Sequence, residues 1–314
     1  MRVLITGAFG FVGSRLAQYL HQLGYEVLLG SRNALESPSW LPDASVLKTE
    51  WDDVNKLFDV CCKCDVIVHS AGVNAKECSA DPVNALSFNG LATSRLVDAA
   101  CKAKVDRFIY LSTAHVYGNT LQGTVTEDTL PRNLHPYATS HLAGEASVLY
   151  RTQLQQLQGF VLRLSNAFGA PANVEANCWM LLVNDMCRQA LTSRRMTLRS
   201  NGMHFRDFIT LEDVSRAINK IIQLPSSEAK HHLFNVGSGK SQRIIDMVEL
   251  IQSRCHYLYN FSPEIILSEP GGFETFPQFD YNIDKLSSLG FALLNNQAAE
   301  VDNLFRLCAN IFSD

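Results

Sequence analysis

Two hydrophobic periods take turns along the first half of the chain. Val3-Leu4-Ile5 is a short apolar, β-branched run that reads as a buried strand. From Ser14 to Leu20 the apolar residues fall at helical spacing, and Gly24 closes that helix. Glu26-Val27-Leu28-Leu29 reads as the next strand. Further strands are expected over residues 66–69, 107–111 and 160–164, and helices over 92–103 and 140–156. Strand and helix in alternation predict an α/β fold built on a doubly wound parallel sheet. Beyond residue 168 the order loosens. Segments 170–205 and 255–280 are irregular and rich in Pro, Gly, Asn and Ser, and predict a smaller C-terminal lobe. A helix over 211–224 and a strand over 233–236 are expected to return to the first domain. The expected division is therefore 1–168, with returns at 207–240, against 169–206 and 241–314.

The first strand and helix enclose TGAFGFVG, residues 6–13. Three glycines between a strand and a helix, inside one βαβ unit, are the setting of a Rossmann-type dinucleotide fingerprint. Gly7 would allow the sharp turn, Gly10 the approach of a pyrophosphate, and Gly13 the close packing of helix on strand. The helix N-terminus would then offer free N–H groups to the phosphates. The spacing is G-x-x-G-x-x-G rather than G-x-G-x-x-G, and the competing reading is a purely structural turn.

Composition narrows the classes. The chain has 314 residues, 46% hydrophobic and 18% charged, with a net charge of −4. That balance gives no reason to expect a nucleic-acid or anionic-membrane surface. The apolar runs are too short for a membrane span, and no signal peptide is expected. Nine cysteines without framework spacing suit a reducing cytoplasm. Cys61-Cys62-Lys63-Cys64 lacks a second ligand pair at zinc-site spacing, so no metal is expected. Gly237-Ser238-Gly239-Lys240-Ser241 ends like a P-loop, but Phe234 stands where that pattern needs glycine.

Several stretches occur in a telling order: TGAFGFVG, VIVHSAG (66–72), FNG (88–90), YLSTAHVYG (110–118), HPYATSHLAGE (135–145), LRLSNAFGAP (162–171), RDFITLEDV (206–214) and FNVGSGK (234–240). Over nearly its whole length the chain resembles the extended short-chain dehydrogenase/reductase superfamily. Within it, the chain resembles the nucleotide-sugar epimerase/dehydratase group, to which UDP-glucose 4-epimerase belongs.

The resemblance implies the following roles. Tyr137 is the general acid/base, with Thr113 as the partner hydroxyl and Ser112 beside it. A lysine normally follows that tyrosine by four residues and lowers its pKa. Here His141 stands there, one helical turn on. Either His141 is a cation with a raised pKa, or another cation has taken over, or redox chemistry is lost and the chain is a dinucleotide-binding sensor or scaffold. Gly7, Phe9, Gly10, Phe11, Val12, Gly13, Asn89, and His69, Ser70, Ala71 and Gly72 are expected around the cofactor, with Asp52 or Asp53 near the adenine. Tyr137 and His141 would also meet it. Strand two ends in Ser31-Arg32 instead of a carboxylate, which suits a 2′-phosphate and so NADP, with NAD the alternative.

For the substrate, Asn166, Asn177 and Arg206 match positions that bind a nucleotide diphosphate in the family, and Asn177 opens a helix-like run. A second family arginine is absent from Glu269-Pro270-Gly271-Gly272-Phe273. A 4-keto-sugar reductase is the expected activity, with a 4-epimerase holding NAD tightly as the alternative. Ala114-His115 replaces the Asp-Glu pair of the dehydratases. A homodimer through the Tyr137 helix and the helix near 92–103 is expected.

Overall fold

The computed structural model describes residues 1–33, 36–268 and 276–312. Seven strands form one sheet, in the order Leu233–Val236, Gly159–Leu164, Arg107–Thr113, Val66–His69, Arg2–Thr6, Glu26–Ser31, Ser45–Lys48. Every neighbouring pair in it is parallel. These strands are nearly continuous apolar runs because helices cover both faces. On one face, Leu16, Leu20 and Val214 pack with Val3 and Ile5. On the other, Leu57, Leu96 and Val148 pack with Leu4 and Ile67. The chain runs outward from Arg2–Thr6 to Ser45–Lys48, then resumes on the opposite side at Val66–His69. The strand order therefore reverses between Arg2–Thr6 and Val66–His69, where α/β sheets open a crevice for ligands.

A separate core carries the lobe. Met186, Met196, Phe208, Ile251, Val301 and Phe305 are among its buried members. A three-stranded sheet, Ser241–Arg243, Phe205–Thr210 and Asn166–Phe168, lies at its border with the main sheet. Leu286 and Phe291 return to the first core, so the last part of the chain serves both bodies.

The expected strands and helices are present with shifted ends. The helix expected over 140–156 is Pro136–Gln153. Pro136 occupies its first turn, and His135 caps it by accepting the Tyr137 N–H at Nδ1, 3.1 Å away. The helix expected to open at Asn177 begins only at Leu182. Strand Ser45–Lys48 was not foreseen. It is a half-exposed edge strand without an apolar run.

Candidate active site

Gly7 turns the chain at φ +71°, and a Cβ there would stand 2.8 Å from the Ala71 backbone. A Cβ at Gly13 would lie 2.3 Å from the Gly7 carbonyl oxygen. These are the turn and the close helix approach that the sequence predicts. Gly10 is the N-cap of helix Phe11–Gln22 and offers no side-chain cap, so the first-turn N–H groups remain for an anion. The loop thus fits the diphosphate of a dinucleotide: a side chain at Gly7 or Gly13 would fill the cradle.

A cavity of about 450 Å³ adjoins this loop. Phe11, Val12, Ser70 and Gly72 line it, with Thr113, Tyr137 and His141, and with Asn166 and Arg206. The sheet thus brings together residues from distant parts of the sequence. Thr113 ends strand Arg107–Thr113 and accepts the His115 N–H at 3.1 Å. Beside it, Ser112 donates to Glu145, whose carboxylate is paired with Arg163 at 2.6 Å. This buried pair ties the Tyr137 helix to the adjacent strands Arg107–Thr113 and Gly159–Leu164. Ser112 lines the cavity, but its proton is committed inward.

Electrostatics decides what Tyr137 can do. Burial pushes its phenol above the ordinary value, and the Thr113 hydroxyl opposes only part of that. No positive charge is among the groups that shift it. Burial first, and then nearby His115, push His141 down to about 4. The expectation of a raised His141 pKa is therefore overturned. The ring is neutral at physiological pH, and its Nδ1 lies 2.9 Å from the Tyr110 hydroxyl.

Other expected contacts also move. His69 does not reach the cavity. It is 1% exposed, lies between Thr6 and Thr93 hydroxyls, and is pushed down to about 3 by burial. Asn89 is buried in the π-helical turn Leu86–Ala92 and spans Val73 N and Ser140 Oγ. It fixes the loop after Gly72 to the Tyr137 helix instead of lining the cavity. Ala71 packs against Gly7. Asp52 is exposed and paired with Arg95, while Asp53 caps helix Val54–Cys61. Ser31 Oγ accepts from Asn33 N at 3.2 Å, and exposed Arg32 lies over the Phe88 ring at 5.6 Å. Asn177 is exposed in a loop and outside the cavity lining.

On the substrate side, Asn166 Nδ2 donates to the Asp207 carbonyl at 2.8 Å. Arg206 donates to the Phe205 carbonyl and, among the described residues, has no carboxylate partner. Asp207 is occupied by Ser165 and Ser238, and Asp213 by Arg216. Burial lowers the Arg206 pKa, the cost of holding a cation in a cleft. Ser238 of the P-loop-like stretch braces Asp207, so that stretch has a structural role. The stretch Glu269 to Phe273, where a second arginine was sought, lies outside the described residues. Sequence reasoning missed Tyr110. Its one signal was a histidine at 141 that, once buried, needs a polar neighbour.

A model of the NAD dependent epimerase/dehydratase family matches residues 3–237. The chain belongs to that family. It is thus an NAD(P)-dependent enzyme of the extended short-chain dehydrogenase/reductase type. A putative UDP-glucose 4-epimerase of Methanocaldococcus jannaschii is 24% identical over 297 residues, 92% of each chain. GDP-6-deoxy-D-mannose reductase of Pseudomonas aeruginosa is 27% identical over 259 residues, 80% of this chain and 79% of that one. The solved UDP-glucuronic acid 4-epimerase from Bacillus cereus, in complex with UDP-glucuronic acid and NAD, superposes with a TM-score of 0.81 at 22% identity, covering 99% of this chain and 100% of that one. Family membership agrees with the glycine cradle. Among the described residues no helix is long and apolar enough to cross a membrane.

Proposed function

We propose that this family member is a reductase of a keto group, most simply at C4, on a nucleotide-linked sugar, with NADPH as the preferred reductant. The observation that carries the direction is the burial of Tyr137, which raises its phenol pKa, with no cation among the described groups that shift it. A base must lose its proton first. An acid need only hold it, and a raised pKa keeps Tyr137 in that form across neutral pH. When bound, the nicotinamide supplies hydride to the carbonyl carbon. Tyr137 gives its proton to the carbonyl oxygen, and the Thr113 hydroxyl orients that oxygen. His141, neutral, offers a hydrogen bond beside Tyr137. The Arg206 guanidinium, without a carboxylate partner among the described residues, suits a diphosphate, with Asn166 alongside. Ser31 and Arg32, at the end of their strand and without a carboxylate in place, favour a 2′-phosphate.

A 4-epimerase holding NAD is the second reading, favoured by the epimerases among the relatives. Fluorescence titration of nucleotide-stripped protein with NADPH and NADH separates the two. Preference for NADPH, with turnover of a keto-sugar nucleotide that Tyr137→Phe abolishes, supports the reductase. NAD too tight to strip supports the epimerase. Full turnover by Tyr137→Phe sinks both.

A homodimer is part of this proposal. Val83, Leu86 and Leu91 are exposed apolar residues leading into helix Thr93–Lys102, and Leu134 and Tyr150 are exposed at the Tyr137 helix. Light scattering at the monomer mass would remove it. The nine free cysteines favour a cytoplasmic setting.

A further inference from the structure

A file of four aromatic rings runs from the cavity into the sheet. Tyr137 meets His141, His141 meets Tyr110 with centroids 5.9 Å apart, and Tyr110 stacks on His69 at 5.5 Å. Tyr110 and His69 are register partners on adjacent strands. The hydrogen bonds around the file allow its protons to be placed one at a time.

Thr93 Oγ1 donates to the Asn89 carbonyl at 2.7 Å. At its 2.9 Å contact with His69 Nε2 the proton must therefore be the ring's. His69 Nδ1 is then bare and accepts from the Thr6 hydroxyl at 2.6 Å. Tyr110 is 1% exposed, and its hydroxyl bonds His141 Nδ1 at 2.9 Å. Thr93, the other hydroxyl nearby, bonds Asn89 and His69, and among the described residues His141 Nδ1 is the one group within hydrogen-bond geometry of the Tyr110 hydroxyl. If Nδ1 were the donor, the phenol proton would be stranded inside the sheet, which buried polar groups avoid. The remaining arrangement has Tyr110 donating.

We propose that Tyr110 is a positioning residue of this site: its phenol donates to Nδ1 of His141 and fixes that ring as the tautomer with its proton on Nε2, the edge that faces Gly72 and the cavity. A Cβ built on Gly72 would lie 4.0 Å from Nε2, so glycine keeps that edge open. His141 then keeps the hydrogen-bond donor that the family's lysine provides and leaves out its charge. Gly144 belongs to the same device, since a Cβ there would stand 2.6 Å from the Tyr110 oxygen.

The inference rests on the proposed function only for the use of this donor, because the tautomer is a property of the protein without substrate. Nitrogen NMR of histidine-labelled protein reads it directly, with the His141 signals assigned by their loss in His141→Gln. At neutral pH, His141 is expected neutral and protonated on Nε2. In Tyr110→Phe, which keeps the ring, the tautomer ratio shifts toward Nδ1 and the Kd for NADPH rises about three- to tenfold, the loss of one neutral hydrogen bond. A wild-type His141 protonated on Nδ1, or on both nitrogens, overturns the proposal. So does a Tyr110→Phe protein with an unchanged tautomer. Absence of turnover on every keto-sugar would end the reductase reading and leave the tautomer result standing.

Discussion

His141 stands edge-on to Tyr137, with ring centroids 4.6 Å apart at an interplanar angle of 71°, on successive turns of one helix. An ammonium group at that place would stabilise the phenolate. His141→Lys should therefore lower the Tyr137 pKa and raise the rate of the oxidative direction at neutral pH, where a base is needed. The pH–rate profile of that direction should move to lower pH by at least about one unit. The wild-type profile should show no inflection near the ordinary histidine value. Coincident profiles for the two proteins would show that the pair is not electrostatically coupled.

Arg206 faces the cavity without a carboxylate partner among the described residues. Arg206→Ala should raise KM for the nucleotide sugar about 10- to 100-fold, the worth of charge-assisted hydrogen bonds. Dinucleotide binding should stay unchanged, because the guanidinium bonds the Phe205 carbonyl and, among the described residues, no group of the glycine loop. Steady-state kinetics and a parallel NADPH titration check both halves. A loss of NADPH binding would place Arg206 in the cofactor site instead.

A Cβ on Gly13 has nowhere to go, since the atom it meets is the Gly7 carbonyl oxygen and both lie on backbone. Gly13→Ala should destabilise the fold by about 1–3 kcal/mol and weaken dinucleotide binding at least about tenfold. Urea denaturation and the same titration measure the two effects. Unaltered binding would make TGAFGFVG a turn and nothing more.

Two buried histidines set an acid limit. His69 is held at about 3 and His141 at about 4, both below the ordinary 6.5 of the unfolded chain. The unfolded state thus takes up protons first. The stability these rings supply is whole above about pH 6.5 and is lost as pH falls toward their folded values. Each contributes a slope of about 1.4 kcal/mol per pH unit inside that window. Urea midpoints between pH 7.5 and 4.5 should fall less steeply for His69→Gln than for wild type. Equal slopes would mean that His69 charges without unfolding.

Buried apolar strands such as Val66–His69 and Gly159–Leu164 were legible because both faces are covered, so the run itself carries the signal. Strand Ser45–Lys48 and the short helices Ala75–Ala80 and Pro82–Ala85 were not, because each is short and partly exposed, and its pattern is set by neighbours. In the site, Tyr137, Thr113 and Arg206 could be placed by motif. The environment of His141 could not. Its low pKa comes from burial and from His115, and its partner Tyr110 comes from the strand Arg107–Thr113, not from its own helix. His69 misled for a related reason. A position at a strand end does not say which way the ring points, and two hydroxyls drew this one inward.

Arg15, on the helix that begins at the glycine loop, reaches the Ala170 carbonyl at 3.0 Å and the buried Glu300 carboxylate at 3.4 Å. Glu300 also accepts from Ala170 N, and Asn173 holds the Phe9 carbonyl at 2.8 Å. The helix after the glycine loop leaves a ribosome before any of these partners, and one of them is residue 300. During synthesis Arg15 can meet Ala170 and Glu212 first, and its contact with Glu300 forms once the helix Gln297–Phe312 has emerged and docked. The full set of contacts behind the glycine loop therefore reports a chain whose folding has reached that helix.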